Sequence, residues 1–148
     1  MATMFGPALA ALAAATCLAT PVAANGSRVN AGPFVGYIVP DYDVVNGRFS
    51  LRVGGMRTET LSSKIPWFLP RRYRVGSALT VTGTRLIRPA RFVQSFDEAF
   101  SPTNPPQHTF PSIINPPATG CWRLTFRSGR ATGTLVVLVR PRVRAAPG

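Results

Sequence analysis

Pro117-Ala118-Thr119-Gly120 closes a loop and delivers Cys121-Trp122-Arg123-Leu124-Thr125-Phe126, in which large apolar and polar side chains alternate. A turn around Ser128-Gly129 follows, and then the apolar run Leu135-Val136-Val137-Leu138-Val139. Successive side chains of a strand point to opposite sides, so Trp122, Leu124 and Phe126 share one face. The pair reads as a closing β-hairpin, the element that often carries much of the core of a β-sandwich. No other stretch restricts the fold as strongly.

The rest of the chain is punctuated in the same way. Its 148 residues include 13 glycines and 15 prolines, a density that breaks helices and favours many short strands. Phe34 to Val39 is a first apolar strand, stopped by Pro40. Asn46-Gly47 supplies turn chemistry ahead of Arg48 to Val53, where Phe49, Leu51 and Val53 face inward. Ile65, Trp67 and Leu69 alternate next, and Pro66 points to an edge or bulged strand. Leu79 to Leu86, Arg91 to Phe96 and Phe110 to Ile114 complete the series, with the longest loop over 97–107. No helical period is sustained. The pattern predicts an all-β, two-sheet antiparallel sandwich of about seven to eight strands, spanning residues 34–140.

The N-terminus has the composition of an export leader. Ala8 to Thr20 carries no charge, and Val22-Ala23-Ala24 offers the small residues a signal peptidase requires. The run is too short and alanine-rich to span a bilayer stably. A signal peptide over 1–24, a flexible lead-in over 25–33 and a basic tail over 141–148 follow from this reading. Cleavage after Ala24 leaves Cys121 as the lone cysteine, a small buried hydrophobe with no disulfide partner. Lipidation at Cys17 has weak support, because Ala14 and Thr16 stand where a bulky aliphatic and a Gly or Ala are wanted.

The formal net charge is +12, and the single lysine, Lys64, leaves arginine to supply the rest of the 17 basic residues. Charge of this size attracts polyanions whatever the evolved role. Arg71, Arg72 and Arg74 form the densest cluster and are the candidate polyanion-binding residues. With Trp67, Phe68 and Tyr73 beside them they have the composition of an aromatic-basic patch for nucleic acid or lipid headgroups; a solvated loop after a core strand explains them better. The expectation is diffuse attraction, in which neutralising this cluster weakens binding no more than neutralising scattered arginines.

Three pieces carry a resemblance: Lys64-Ile65-Pro66-Trp67-Phe68, Leu79-Thr80-Val81-Thr82-Gly83-Thr84-Arg85-Leu86, and Gly120-Cys121-Trp122-Arg123-Leu124-Thr125 with its closing strand. In these the chain resembles a family of small secreted or lipid-anchored bacterial domains without an assigned biochemical role. The resemblance implies an immunoglobulin-like sandwich and an envelope location, and no activity. Arg123 stands where the family pattern carries an acidic residue, which separates this chain from any shared electrostatic partner.

Catalytic chemistry has little to stand on. His108 has no His or Cys at metal-ligand spacing and reads as a loop histidine. Acidic residues are scarce (Asp41, Asp43, Glu59, Asp97 and Glu98), and neither Asp41-x-Asp43 nor Asp97-Glu98 has the spaced oxygen ligands of a calcium loop. No serine lies in a Gly-x-Ser-x-Gly elbow. No cofactor or metal is implied, and the chain does not read as an enzyme. The leading expectation is a non-catalytic structural or interaction domain, secreted or held in the bacterial cell envelope, whose partner is an envelope protein or polymer. The alternative is a polyanion binder for wall polymer, anionic lipid or nucleic acid, without sequence-specific nucleic-acid recognition. A hydrolase using Cys121 or a serine with His108 is a distant third.

Overall fold

A computed structural model describes residues 17–76, 78–99 and 107–144. The chain is all-β, with ten strands among the described residues. They are β1 (Arg28–Ala31), β2 (Phe34–Tyr37), β3 (Val44–Val45), β4 (Arg48–Arg52), β5 (Lys64–Pro70), β6 (Ala78–Arg85), β7 (Arg91–Asp97), β8 (Gln107–Ile113), β9 (Gly120–Ser128) and β10 (Ala131–Arg140). A single helical turn, α1 (Pro40–Asp43), starts at a proline, whose missing N–H costs nothing there. One sheet has the order β1-β2-β5-β8 and the other β3-β4-β10-β9-β6-β7. No helix among the described residues is long and apolar enough to cross a membrane.

The period-two segments put their apolar halves between the sheets. Trp67 and Phe110 enter from the smaller sheet, and Phe49, Trp122, Leu124 and Phe126 from the larger, all fully buried. The Trp67 and Phe126 rings meet across the interface with centroids 4.4 Å apart. Gly36 faces Trp67 on the neighbouring strand, where a Cβ would lie 2.7 Å from the indole. The absent side chain is what lets the ring lie flat there.

Several expectations change. The lead-in of 25–33 contains β1, with Val29 and Ala31 buried; its short turn to β2, Gly32-Pro33, was hidden by a polar composition. Pro66 was expected to mark an edge or bulged strand; β5 as a whole lies between β2 and β8, but its pairing with β2 stops at Trp67, one residue short of Pro66. Pro66 faces Pro111 in the register with β8. The sandwich is not wholly antiparallel: β10 pairs β4 in parallel, Leu138 against Ser50 through Arg140 against Arg52. The expected loop over 97–107 is shorter at both ends, since β7 includes Asp97 and β8 begins at Gln107.

The largest correction concerns the N-terminus. Residues 1–16 of the expected leader lie outside the described residues, but 17–24 pack into the domain. Cys17 forms a disulfide with Cys121, 104 residues away, so Cys121 is not the unpaired thiol expected from the sequence. Thr20 sits where β4 and β10 diverge: its N–H donates to the Val136 carbonyl and its carbonyl accepts from Phe49 N–H, each at 2.8 Å. Of the tail expected over 141–148, residues up to 144 are described, and Arg52 reaches the Pro141 carbonyl at 3.2 Å.

Candidate interaction surface

The outer face of the larger sheet follows from the alternation that builds its inner face. Because Leu79 and Val81 point inward on β6, Thr80, Thr82 and Thr84 point out. On β9 the same rule turns Arg123, Thr125 and Arg127 outward behind Trp122, Leu124 and Phe126. Thr132 and Thr134 on β10, and Arg91, Val93 and Ser95 on β7, are exposed beside them. Threonine suits these places because a β-branched side chain fits the pleated surface.

Strand register turns these residues into a lattice. One row runs Ser95, Thr80, Arg127, Thr132; the next Val93, Thr82, Thr125, Thr134; the third Arg91, Thr84, Arg123, Val136. Neighbours across strands are about 4.8 Å apart and successive rows about 6.8 Å apart. The result is a patch of hydroxyls with a guanidinium in two of its three rows.

No carboxylate balances this charge from within the lattice. Asp97 lies beyond its edge, opposite Ala78. Asp43 is buried and ion-paired with Arg57 at 2.7 Å, and it also accepts the Val39 N–H at 3.0 Å. Glu98 is engaged by His108 at 2.5 Å. Arg91, Arg123 and Arg127 have no carboxylate partner among the described residues. Other arginines are tied into the frame. Arg48 donates to the Ala19 carbonyl at 2.7 Å, and Arg140 donates to Ser50 Oγ and to the Tyr42 carbonyl, each at 2.8 Å. Burial, and behind it the like charge of Arg52, pulls Arg140 below the usual guanidinium range, with Asp43 pulling it back.

The cluster singled out from sequence is a loop after β5, with Arg71, Arg72 and Arg74 exposed. Its backbone packs on the β9–β10 turn, where a Cβ on Gly129 would lie 2.5 Å from the Arg74 carbonyl. That turn is flanked by Arg127 and Arg130, so the loop adjoins one end of the lattice. Trp67 does not belong to the loop, being fully buried in the core. Tyr73 does, and the Arg72 guanidinium lies 5.0 Å from its ring centroid. Phe68 faces out from the other sheet, edge-on to Tyr37 at 5.3 Å.

The residues of the hydrolase reading are committed elsewhere. Cys121 is in a disulfide and offers no thiolate. His108 is on strand β8, not in a loop, with Nδ1 against Glu98 and Nε2 3.2 Å from the Tyr73 carbonyl. Both ring nitrogens are thereby occupied. A shallow cleft lies where Cys17 and Ala19 meet Val45, Arg48 and Leu138, and these side chains include no acid–base pair. Among the described residues no three His, Cys, Asp or Glu side chains gather as metal ligands. The lattice itself was missed from sequence, although the run Thr80-x-Thr82-x-Thr84 was its visible trace. Set against known proteins, the chain matches no family model, no curated protein and no solved structure.

Proposed function

We propose that this protein is a non-catalytic interaction domain of the bacterial cell envelope that holds polyanions against the outer face of its larger sheet. The observation that carries the reading is the lattice: Arg91, Arg123 and Arg127 stand among threonines on one flat face with no carboxylate inside it. Guanidinium groups offer paired donors to phosphate, sulfate or carboxylate, and hydroxyls add neutral hydrogen bonds beside them. Without an aromatic side chain, the face lacks the stacking surface that single-stranded nucleic acid uses. A polymer bearing repeated anionic groups fits it better.

The scaffold in this reading is an immunoglobulin-like sandwich. In its support, β5 and β8 pair in one sheet while β6, β9 and β10 neighbour one another in the second, as strands B and E and strands C, F and G do in that fold. Trp67 and Phe126 meet where antibody domains place their inter-sheet disulfide. The family resemblance of the Lys64, Leu79 and Gly120 segments belongs to the same proposal.

Three variants of the purified protein test it, each with three arginines changed to glutamine: Arg91, Arg123 and Arg127; Arg71, Arg72 and Arg74; or the exposed Arg88, Arg142 and Arg144. Binding to a sulfated polysaccharide, duplex DNA and anionic vesicles is measured across a salt series. The first variant is expected to lose the most, and the polysaccharide to resist salt best. Equal losses from all three variants mean diffuse attraction and sink the dedicated face.

A further inference from the structure

We infer that the leader is cut between Ala15 and Thr16, and that the new N-terminus is then locked into the sandwich through Cys17. A cut after Ala24 is at odds with what residues 17–24 do. Ala19 is 2% exposed. Thr20 N–H donates to the Val136 carbonyl at 2.8 Å, and Val136 N–H donates to Thr20 Oγ1 at 2.9 Å. Phe49 N–H donates to the Thr20 carbonyl, and Val22 N–H to the Gly47 carbonyl at 3.0 Å. Ala23 and Arg28 exchange both of their backbone bonds, occupying the first residue on the outer edge of β1. Removing the segment strands these groups at the fork between β4 and β10, where unpaired backbone groups are not tolerated. It also exposes an edge that invites pairing with other chains.

The sequence supplies an earlier site that spares the segment. Ala13-Ala14-Ala15 places small residues at the two positions a signal peptidase reads. The apolar stretch before it, Phe5 to Leu12, is within the range of about 7–15 residues usual for the apolar core of a leader. Hydrolysis adds water across the Ala15–Thr16 amide, leaving a carboxylate on the leader and an ammonium on Thr16. Cys17 then lies second in the mature chain, within reach of Cys121. Formation of the Cys17–Cys121 bond removes two protons and two electrons, which pass to the disulfide of a thiol oxidoreductase and leave it as a dithiol. Such bonds persist in oxidising compartments, which the exported chain enters only after translocation. Because Cys17 Sγ is used in this bond, it carries no lipid, and the mature protein is not anchored through that residue.

The test uses the full chain secreted by an export-competent bacterium. N-terminal sequencing is expected to begin at Thr16, and alkylation to label no thiol before reduction and two after it. A start at Asn25, retention of Met1, a diacylglyceryl group on Cys17, or two thiols alkylated before reduction overturns the inference. A second measurement compares chains 16–148 and 25–148 in denaturant. The longer is expected to unfold cooperatively at the higher midpoint, and equal midpoints overturn the structural role of 17–24. Neither measurement depends on polyanion binding, so the two proposals fail separately.

Discussion

Trp67 and Trp122 fill one core from opposite sheets, yet their indole N–H groups fare differently. Trp122 Nε1 donates to the Ala118 carbonyl at 3.0 Å, whereas Trp67 Nε1 is buried without a partner among the described residues. Both rings are fully buried. Trp122→Ala is therefore expected to destabilise the domain by about 3–5 kcal/mol, as for other core aromatics, and denaturant unfolding checks it. A loss below about 1 kcal/mol would return Trp122 to a surface role. Asp43 is the other residue on which much depends. Its carboxylate is 1% exposed and faces Arg57, itself 8% exposed. Asp43→Ala leaves that guanidinium buried and unpaired, so a loss of about 3–5 kcal/mol is expected. The double variant Asp43→Ala with Arg57→Met should recover part of it, and a double variant as unstable as the single would contradict the pair's role. Trp122 was legible from the period of its strand. The Asp43–Arg57 pair is not legible in the same way, because Arg57 comes from a loop that carries no periodic signal.

At the scale of elements, the sandwich is drawn together at the side where β1 and β10 meet. Gly133 of β10 lies under the β1–β2 turn, and a Cβ there would overlap the Ala31 carbonyl. Backbone cannot yield as a flexible side chain does, so Gly133→Ala must push the turn off the larger sheet. The expected outcome is a clear drop in the denaturant midpoint with faster amide exchange confined to β1 and β2. An unchanged midpoint would show that the close approach is dispensable. On the opposite side Gln94 of β7 spans the two sheets. It donates to the Ile113 carbonyl at 3.2 Å and accepts from Asn115 N–H at 2.8 Å. Side-chain clamps of this kind limit the exposure of edge strands to pairing with other chains.

For the whole molecule, the two outer faces have different chemistry. The smaller sheet shows Tyr37, Phe68, Pro66 and Pro111 around Lys64, while the larger shows threonines and arginines. Net charge alone attracts polyanions at long range and is screened within about 8 Å at physiological salt. A dedicated face adds close ion pairs, each releasing counterions. With duplex DNA as probe, the slope of log affinity against log salt changes by about 0.9 for each phosphate that is no longer neutralised. Changing Arg91, Arg123 and Arg127 to glutamine is thus expected to flatten the slope by about 2–3, more than the Arg71, Arg72 and Arg74 variant does. An unaltered slope would remove the lattice from the binding event.

Most of the strands were readable from the chain, because a face buried between sheets forces alternation upon each of them. Trp122, Leu124 and Phe126 declared the core, and the Asn46-Gly47 and Ser128-Gly129 turns marked where strands reverse. A bond that joins distant positions leaves no local pattern. Cys17 lies in a run of small apolar residues that composition assigns to a leader, and only tertiary packing brings it to Cys121. The parallel pairing of β4 with β10 and the rows that join Arg91, Thr84 and Arg123 arise in the same way. Alternation determines which side of a strand a residue takes; register and topology decide which residues stand beside it.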